Sequence, residues 1–467
     1  MSTLVTWPLP LSEKPFPLYD VAANGVEIPV WSARVREEIH RPHDAGWTHM
    51  LNGRTEWAGF ARFDFEGEAA VTVTVSRDFS TAEILPRSAG IQAAVSGRSI
   101  AFTMTEPRPV TLVLDGQDSE PLHFFTHRPE TDVPSPDDPD VVYFGPGEHW
   151  VNSIPLESGQ TLYLHPEAIV RAVLPAGIQG VRGGVLDLVN YSGAVVSARE
   201  AENVVVRGRG ILDGTQMPHP SFNLVHLQRA RNVRIEGIIL RNSPNWHLPI
   251  FDSDHVEVDG LCCISGRLNS DGVNCVNSRD VFVHDTFVRT HDDSFAVKTT
   301  SADKPSHGIR YERCVAWDDW GYAFGVTYET RADISDVVYR NCDMLFSRHW
   351  ALGVHVADGG TVRDILFENI TLEYPRSSLA EGGGRVILKI DNDKDCWSTD
   401  SRTGRIEGVT VRNVSVNGEL DPIVEIRGND PGHKTRDVLL ENITLRGAPL
   451  SQAVIRKNEH VENLVVR

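Results

Sequence analysis

The stretch NVRIEGIILRNSPNWHLPIFDSDHVEVDG, from Asn232 to Gly260, contains the pattern that decides the fold. It contains a four-residue unit twice, starting at Asn232 and again at His255. The unit is a polar residue, an aliphatic residue, a variable residue and a second apolar residue. The two valines of these units, Val233 and Val256, lie 256 − 233 = 23 residues apart. Along the whole sequence the same unit starts at eight positions, including these two: Asn203, Asn232, His255, Asp280, Asp336, Asp364, Asp437 and Asn463.

The spacing of these units identifies the architecture. Neighbouring units step by 233 − 204 = 29 and 281 − 256 = 25 residues, and further along by 365 − 337 = 28 residues. Periods of this size, with three short β-branched strands in each, are typical of a right-handed parallel β-helix. We predict that fold for residues 141–467. Strands in such a helix lie about 4.8 Å apart and alternate side chains point outward, so one face becomes a rigid grid suited to a linear polymer.

The first part of the chain has a different pattern. Residues 1–130 contain short β runs broken by turn residues, such as Ala69–Val75, Ser99–Met104 and Pro109–Leu114, the last followed by the hairpin signal Asp115-Gly116. We predict an antiparallel β-sandwich here. Residues 131–140, TDVPSPDDPD, are rich in proline and aspartate and predict a linker. The expected fold class is therefore all-β, with a sandwich followed by a β-helix.

Composition limits the partners. The chain has 467 residues and a formal net charge of −19, which argues against nucleic acid or an anionic membrane as the main partner. No run approaches the roughly 20 apolar residues of a membrane span. No basic segment followed by an apolar one is visible at the N-terminus, so we expect a cytoplasmic protein, or a secreted one if a signal has been removed. The six cysteines form no C-x-x-C pair and are expected to be free thiols. The oligomeric state is left open between monomer and homo-oligomer.

Three carboxylates stand out in the stretch from Asn269 to Lys298, NSDGVNCVNSRDVFVHDTFVRTHDDSFAVK. Asp271 and Asp292 are 292 − 271 = 21 residues apart, which is close to one coil of the repeat, and Asp293 follows directly. The three would then lie on neighbouring rungs of one sheet face. Consecutive residues of an ideal strand point in opposite directions, so both members of the pair reach one groove only if the chain bends there.

Such a cluster suits the hydrolysis of a glycosidic bond. That reaction needs one protonated carboxyl group to donate to the leaving oxygen and one carboxylate to activate water or attack carbon. Crowding of carboxylates raises the pKa of at least one of them. The residues leave alternatives open: a turn cap with a solvated neighbour, a calcium site, a calcium-dependent lyase that uses Lys298, Arg289 or Lys389 as its base, or a non-catalytic carbohydrate-binding β-helix.

A family resemblance narrows these alternatives. The β-helix resembles the polygalacturonase-like and dextranase-like glycoside hydrolases, families 28 and 49, and the preceding sandwich resembles the N-terminal domain of dextranase-type enzymes. The pieces that carry the resemblance, in chain order, are VYFGPGEHWV (142–151), RGRGILDG (207–214), NVRIEGIILRNSPNWH (232–247), NSDGV (269–273), THDDSFAVK (290–298) and WDDWGY (317–322). The resemblance implies that Asp292 is the general acid and that Asp271 and Asp293 position water in an inverting mechanism, without a cofactor or a metal.

Two departures from the polygalacturonase pattern bear on the sugar. The rung after the aspartate pair reads Gly321-Tyr322-Ala323 where that pattern has Gly-His-Gly. The next rung reads Val354-His355-Val356 in place of the Arg-x-Lys that grips a uronate. We therefore expect a neutral sugar in an α-linked glycan, as in dextranase- or isopullulanase-like enzymes. Hydrolysis of a uronic-acid glycan is the alternative, because Arg385 and Lys389 lie one rung later.

Residues beside the aspartates are candidates for binding an oligo- or polysaccharide. Aromatic rings can stack on sugar faces, and histidine, lysine and asparagine can hydrogen-bond to hydroxyl groups, although each of these side chains can equally have a packing role. The candidates are Asn269, His291, Lys298, Trp320, Tyr322 and His355.

Overall fold

The computed structural model describes residues 3–36, 55–175, 193–375, 386–398, 400–418 and 422–467. These residues form an all-β protein, with short 3₁₀ turns at Arg87–Ala89 and Gln452–Val454. None of the described helices is long and apolar enough to cross a membrane. The six cysteines are free thiols, as expected, and of these Cys396 is exposed.

The N-terminal part is a sandwich of two sheets. Its strands are β1 (Thr3–Thr6), β2 (Tyr19–Ala23), β3 (Val26–Ile28), β4 (Val30–Arg36), β5 (Glu56–Glu66), β6 (Ala69–Val75), β7 (Ala82–Leu85), β8 (Ala94–Ser96), β9 (Ser99–Met104), β10 (Val110–Leu114) and β11 (Leu122–His127). One sheet has the order β1-β5-β11-β10-β7 with β4 beside β5, and the other has the order β3-β2-β6-β9-β8. In β6 the residues alternate between buried and exposed, which places its valines in the core between the sheets.

One strand pair departs from the expected antiparallel arrangement. β11 lies parallel to β5, from Leu122 beside Gly59 to His127 beside Asp64. A parallel pair needs a long connection, and β6 to β10 provide it between these two strands. Residues 131–140, where a linker is predicted, contain no strand. The exact domain limits stay a prediction.

From Val141 onward the chain winds into a parallel β-helix. Two of its faces join in one long sheet, whose strands are β12 (Val141–Phe144), β13 (Gly147–Val151), β15 (Thr161–Leu164), β16 (Ala168–Ala172), β18 (Glu202–Gly208), β19 (Ile211–Asp213), β21 (Arg231–Glu236), β22 (Ile239–Arg241), β24 (Asp254–Asp259), β25 (Cys262–Leu268), β27 (Arg279–His284), β28 (Phe287–His291), β30 (Ser306–Glu312), β31 (Val315–Asp318), β33 (Ile334–Arg340), β34 (Asp343–Ser347), β36 (Thr361–Pro375), β38 (Arg405–Val416), β40 (Thr435–Leu445), β41 (Ala448–Pro449) and β43 (Val461–Val466).

The third face, called the site sheet below, is separate. Its strands are β14 (Ile154–Leu156), β17 (Ala194–Arg199), β20 (Asn223–Gln228), β23 (Leu248–Phe251), β26 (Val273–Val276), β29 (Phe295–Thr299), β32 (Tyr322–Thr330), β35 (Trp350–His355), β37 (Val386–Asp391), β39 (Ile423–Ile426) and β42 (Ile455–Lys457). Every described pairing within it is parallel. Each coil therefore contributes one rung to this face.

The polar residue that starts each repeat unit has a backbone role. All eight of these residues have a positive φ, between 51° and 59°. Asparagine and aspartate tolerate this left-handed conformation better than most residues because their short side chains bond locally. A second turn stacks asparagines, since Asn369 donates to Asn341, Asn413 to Asn369 and Asn442 to Asn413, at 2.8–2.9 Å. The repeat in the sequence is thus a repeat of turns.

The interior of the helix is filled by aligned apolar side chains. In the site sheet Val273, Phe295 and Phe324 lie in register on successive rungs and point into the core. The rings of Phe295 and Phe324 stack with their centroids 5.4 Å apart. Because alternate residues point outward, the register of this core fixes which side chains line the outer surface.

The sandwich packs against the outside of the long sheet. Trp31, Val35 and Phe125 of the sandwich share a core with Ile264, Trp317 and other residues of the β-helix. At Gly266, which follows Ile264 in β25, any Cβ would overlap the backbone of Val35 and Arg36. Arg36 also donates to Asp319 at 2.8 Å in a buried ion pair. The sandwich therefore reaches the turns beside the aspartate cluster.

Candidate active site

The three aspartates meet at the start of two neighbouring strands of the site sheet. Asp271 precedes β26, and Asp292 and Asp293 precede β29. One carboxylate oxygen from each residue lies within 4.8 Å of those of the other two. The chain bends at Asp292. A bend here is what allows two consecutive residues, Asp292 and Asp293, to face the same site. The carboxyl groups therefore form one cluster.

Asp293 is held by three donors. Its Oδ2 accepts from Lys298 Nζ at 3.0 Å and from Thr327 Oγ1 at 2.8 Å. Its Oδ1 accepts from the backbone N–H of Tyr322 at 2.9 Å. The side chain is buried, and donors to both oxygens, one of them charged, hold it in a single orientation. Asp293 is thus a fixed carboxylate.

Asp292 has a different environment. Its Oδ1 accepts from the backbone N–H of Asp293 at 2.9 Å, and its Oδ2 lies 3.4 Å from Asn269 Nδ2. No cation donates to it among the described residues. Burial, and then the negative charge of Asp293, raise the pKa of Asp292 to about 7. A carboxyl group of this kind retains a proton near neutral pH, as a general acid must.

Asp271 completes the cluster. Its Oδ2 accepts from Asn274 Nδ2 at 2.7 Å, while its Oδ1 is buried and accepts no hydrogen bond from the described residues. Its backbone carbonyl accepts from the N–H of His247 at 2.7 Å, which fixes the turn. Burial, and next the charge of Asp292, raise the pKa of Asp271 well above its usual value. One oxygen of Asp271 is thus left to bind water or a sugar hydroxyl.

Residues 178–463 match the sequence profile of the family described as glycosyl hydrolases family 28. This match covers 463 − 178 + 1 = 286 of the 467 residues. The chain belongs to glycosyl hydrolases family 28. The members of this family are glycoside hydrolases by its description, which is the class that the cluster of carboxylates predicted.

Individual relatives agree with this assignment. The family 28 chain is 24% identical over 278 residues to rhamnogalacturonase A of Emericella nidulans, which covers 59% of this chain and 50% of that protein. The chain spans about half to two-thirds of the length of the curated relatives that it matches first. The Emericella nidulans relative is named a rhamnogalacturonase and not a dextranase.

Solved structures with low sequence identity show the same fold. Dex49A from Penicillium minioluteum matches 99% of the family 28 chain and 96% of its own, with a TM-score of 0.63 at 13% identity. The exopolygalacturonase from Thermotoga maritima matches 70% of this chain and 83% of its own, with a TM-score of 0.52 at 18% identity. Both likenesses bear out the parallel β-helix.

The predicted binding residues of the family 28 enzyme differ in where they lie. Lys298 and Asn269 contact the aspartate cluster directly. His291 is 6% exposed and its backbone N–H donates to Ser270 Oγ at 3.3 Å. The ring of Trp320 stacks on His349, with centroids 4.8 Å apart. These four positions border the cluster and stay predictions for contact with substrate.

Tyr322 and His355 are more deeply placed than the sequence suggested. Tyr322 has no exposed surface, and its ring lies where a Cβ of Gly353 would be. The contribution of Tyr322 to the cluster is its backbone N–H, which binds Asp293. His355 is 3% exposed and packs its ring 4.7 Å from that of Tyr328. Both rings thus pack against other aromatic side chains of the site sheet.

Several residues of the site were not predicted from the sequence. Asn274 lies three residues after Asp271 at an outward position, a spacing that could have identified it. Thr327 and Glu329 had no such signal, because β32 bulges there: Val297 pairs with Val326, but Thr299 pairs with Thr330. Two residues of β29 thus face four of β32. The extra length brings Glu329 Oε2 to 3.0 Å from Lys298 Nζ.

Among the residues that the structure describes, two clusters have the residue types and spacing for a cation. The aspartate cluster is one, but the Lys298 ammonium group already neutralises Asp293 there. The other is Asp259, His284 and Asp285, where Arg313 pairs with Asp285 at 2.7 Å and His284 bonds to the same carboxylate. In both, a positively charged or hydrogen-bonding side chain holds a carboxylate that a calcium ion would need. Proton transfer fits the aspartate cluster better.

Proposed function

We propose that this enzyme hydrolyses glycosidic bonds in a glycan that contains uronic acid. The observation that carries the proposal is the cluster of three carboxylates within 4.8 Å of one another in a family 28 chain. Their environments divide the work, because burial and the charge of Asp293 raise the pKa of Asp292 to about 7, whereas Lys298 donates to Asp293. That division is what acid–base hydrolysis requires.

The mechanism follows from these environments. Asp292 donates its proton to the oxygen of the leaving sugar. Asp293 accepts a proton from water on Oδ1, which has one donor, and the free Oδ1 of Asp271 orients that water. Inversion rests on the family resemblance, since the oxygens lie closer together than the roughly 6.5–9.5 Å of ordinary inverting enzymes. NMR of the first product would test it: retention of the α configuration would exclude inversion.

Lys389 supports the choice of an acidic sugar. It lies beside Gly353 in the register of the site sheet, at an outward position, with its Nζ 4.0 Å from the centre of the Trp350 ring. The outward residues on the three preceding rungs, Ala296, Gly325 and Gly353, have no side chain beyond Cβ. The floor between the aspartates and Lys389 is thus built from small residues, with the ring of Tyr322 lying over Gly353.

The distance along this floor suggests where the uronate binds. β37 is three rungs beyond β29, or about 14 Å at the usual strand spacing. Lys389 would then bind a carboxylate two or three sugars from the bond that is cleaved, while Val354-His355-Val356 leaves the nearer subsites without a cation. This arrangement accommodates a glycan with both acidic and neutral sugars. Arg385, the other candidate cation, lies outside the described residues.

Variants of two lysines of the site sheet test this part of the proposal. Lys389→Gln should raise KM on polygalacturonate or rhamnogalacturonan oligosaccharides, because it removes the cation, and leave KM on neutral glycans unchanged. Lys457→Gln is the matched control, since Lys457 is exposed at the end of the same sheet. An equal effect of both variants would exclude a uronate site at Lys389.

The decisive experiment is the release of reducing ends from polygalacturonate, rhamnogalacturonan, dextran and pullulan by the wild type and by Asp292→Asn, with EDTA in parallel. Activity on an acidic glycan that survives EDTA and is lost in the variant is expected. Activity on dextran or pullulan alone would establish the dextranase-like function, which the missing Arg-x-Lys clamp favours. Loss with EDTA, together with unsaturated uronate ends, would identify a lyase.

The location follows from the substrate. A polymeric glycan does not enter cells intact, so we favour secretion over the cytoplasmic location expected from the sequence. Fractionation of cells that produce the full-length protein would test this choice: activity confined to the cytoplasm would contradict it.

A further inference from the structure

Lys298 lies in the centre of a buried charge cluster. Its Nζ is 3.0 Å from Asp293 Oδ2 and 3.0 Å from Glu329 Oε2. Lys298 is 4% exposed, and its two partners are 1% and 4% exposed. The rings of Trp246 and Tyr328 lie 5.6 and 5.7 Å from the ammonium group. The ammonium group is therefore shared between two buried carboxylates.

Stability does not explain this arrangement. A buried ion pair costs about as much in desolvation as it returns, and apolar residues of similar volume often do as well. Glu329 also reaches Lys298 only through the bulge in β32. The cluster is instead placed where charge matters for chemistry, because Asp293 follows Asp292 directly in the chain.

We propose that Lys298 and Glu329 form a positioning ion pair that acts through Asp293, keeping Asp293 a carboxylate and leaving the proton on Asp292. The inference rests on the proposed hydrolysis and extends it to two residues that need not touch the substrate. The charges of Asp293, Lys298 and Glu329 sum to −1. Loss of the lysine charge would make the sum −2, and loss of the glutamate charge would make it 0.

The other ionisable groups around this cluster stay constant in the experiment below. These groups are Asp271 before β26, Asp292 before β29, Asp318 in β31, Tyr322 and Tyr328 in β32, His355 in β35, and Lys389, Asp391, Asp395 and Cys396 in or after β37. Since none of these groups is altered, a difference between variants of Lys298 and Glu329 reports on that pair.

The test compares the pH profiles of kcat/KM for Lys298→Met, Glu329→Gln and the double variant. Removal of the lysine should move the alkaline limb to higher pH, because Asp292 then faces more negative charge. Removal of the glutamate should move the same limb to lower pH. A neighbouring charge shifts a pKa by about one unit or more. At a fixed pH on the alkaline limb, kcat/KM of each single variant should therefore differ from the wild-type value by about tenfold. The alkaline limb of the double variant should lie between those of the two single variants.

Opposite displacements are the diagnostic result, because simple loss of packing would lower both profiles without moving them apart. Lys298→Arg keeps the charge and should keep the wild-type limbs even if kcat falls. Shifts in the same direction, or lower rates with unmoved limbs in correctly folded variants, would overturn the proposal. Thermal unfolding of each variant would establish that it folds.

A second measurement separates this inference from the proposed function. This measurement is infrared spectroscopy of protein labelled with ¹³C-aspartate, which detects protonated carboxyl groups. Subtracting the spectrum of Asp292→Asn leaves the signal of Asp292, whose titration can then be followed without substrate. If the wild type cleaves none of the glycans, the proposed hydrolysis fails, yet the same opposite displacements are expected in this titration. Their absence would overturn the ion-pair inference by itself.

Discussion

Asp292 and Asp293 are adjacent residues of the same type in different surroundings. Asp293 accepts from an ammonium, a hydroxyl and a backbone N–H group, whereas Asp292 accepts from a single N–H at normal distance and from a longer contact to Asn269. Each donor lowers the proton affinity of the carboxylate that it contacts. At the residue scale, the bend at Asp292 therefore separates an acid from a base within one dipeptide.

Removal of the proposed acid tests this separation. Asp292→Asn should lower kcat by about 10²–10⁴-fold, because general acid catalysis contributes a factor of that size. Asp303→Asn is the control, since Asp303 is exposed in the turn after β29. Steady-state kinetics on the best substrate would measure both. A loss below tenfold in Asp292→Asn would assign the acid role elsewhere.

The pH dependence of activity follows from the same residue. The pKa of Asp292 is raised from 3.8 to about 7, and the acid acts only when protonated. Activity should therefore be present below this pH and fall as the pH rises through about 7. The alkaline limb of kcat/KM for the free enzyme would measure it. A limb near pH 4 would contradict the burial and charge effects described for Asp292.

At the element scale, the site sheet combines small outward residues with one large ring. Ala296, Gly325 and Gly353 keep the floor low, and the ring of Tyr322 covers Gly353. Because the backbone of Tyr322 also donates to Asp293, the position of this ring is coupled to that of the proposed base. The floor and the catalytic cluster are thus parts of one element.

A methyl group on the floor should disturb both functions of Tyr322. Gly353→Ala would place a Cβ inside the ring of Tyr322, and overpacking of this kind costs about 1–3 kcal/mol. We expect a lower free energy of unfolding and a lower kcat/KM. Gly145→Ala is the control, because the nearest atom to its Cβ would be 3.7 Å away. Equal changes in the two variants would argue against this coupling.

These elements also show how far the sequence predicts the structure. The repeat units could be found because each begins with a residue that tolerates a left-handed turn, and the interval from Asp271 to Asp292 then placed the cluster. Glu329 could not be found, because it depends on a bulge that no sequence pattern marks. The contact of Arg36 with Asp319 joins residues 283 positions apart, and only tertiary packing determines it.

At the scale of the whole molecule, the sandwich and the β-helix share buried charge as well as apolar surface. Arg36 binds Asp319, and Arg348 binds both Asp118 of the sandwich and Asp319. Asp319 is next to Asp318 and close to Trp320, at the edge of the site. The sandwich therefore stabilises the turn that precedes β32.

Disruption of this contact should affect the whole protein. Arg36→Gln leaves Asp319 with weaker, longer contacts in a buried position, which should lower the free energy of unfolding by about 3 kcal/mol. Chemical denaturation would measure it. Arg98→Gln removes an exposed ion pair with Asp78 within the sandwich and should have little effect. Similar denaturation midpoints for the two variants would show that the buried ion pair at the interface contributes no more to stability than the exposed ion pair.

The shared core has a consequence for how the molecule is made. Its apolar residues on the β-helix, among them Ile169, Ile211, Ile239, Ile264, Phe287 and Val315, come from successive coils and form a stripe along the outside of the long sheet. The sandwich precedes these coils in the chain, and domains generally fold in the order of their synthesis. A folded sandwich would thus be in place to receive each coil as it leaves the ribosome, so that the stripe is covered one rung at a time during translation.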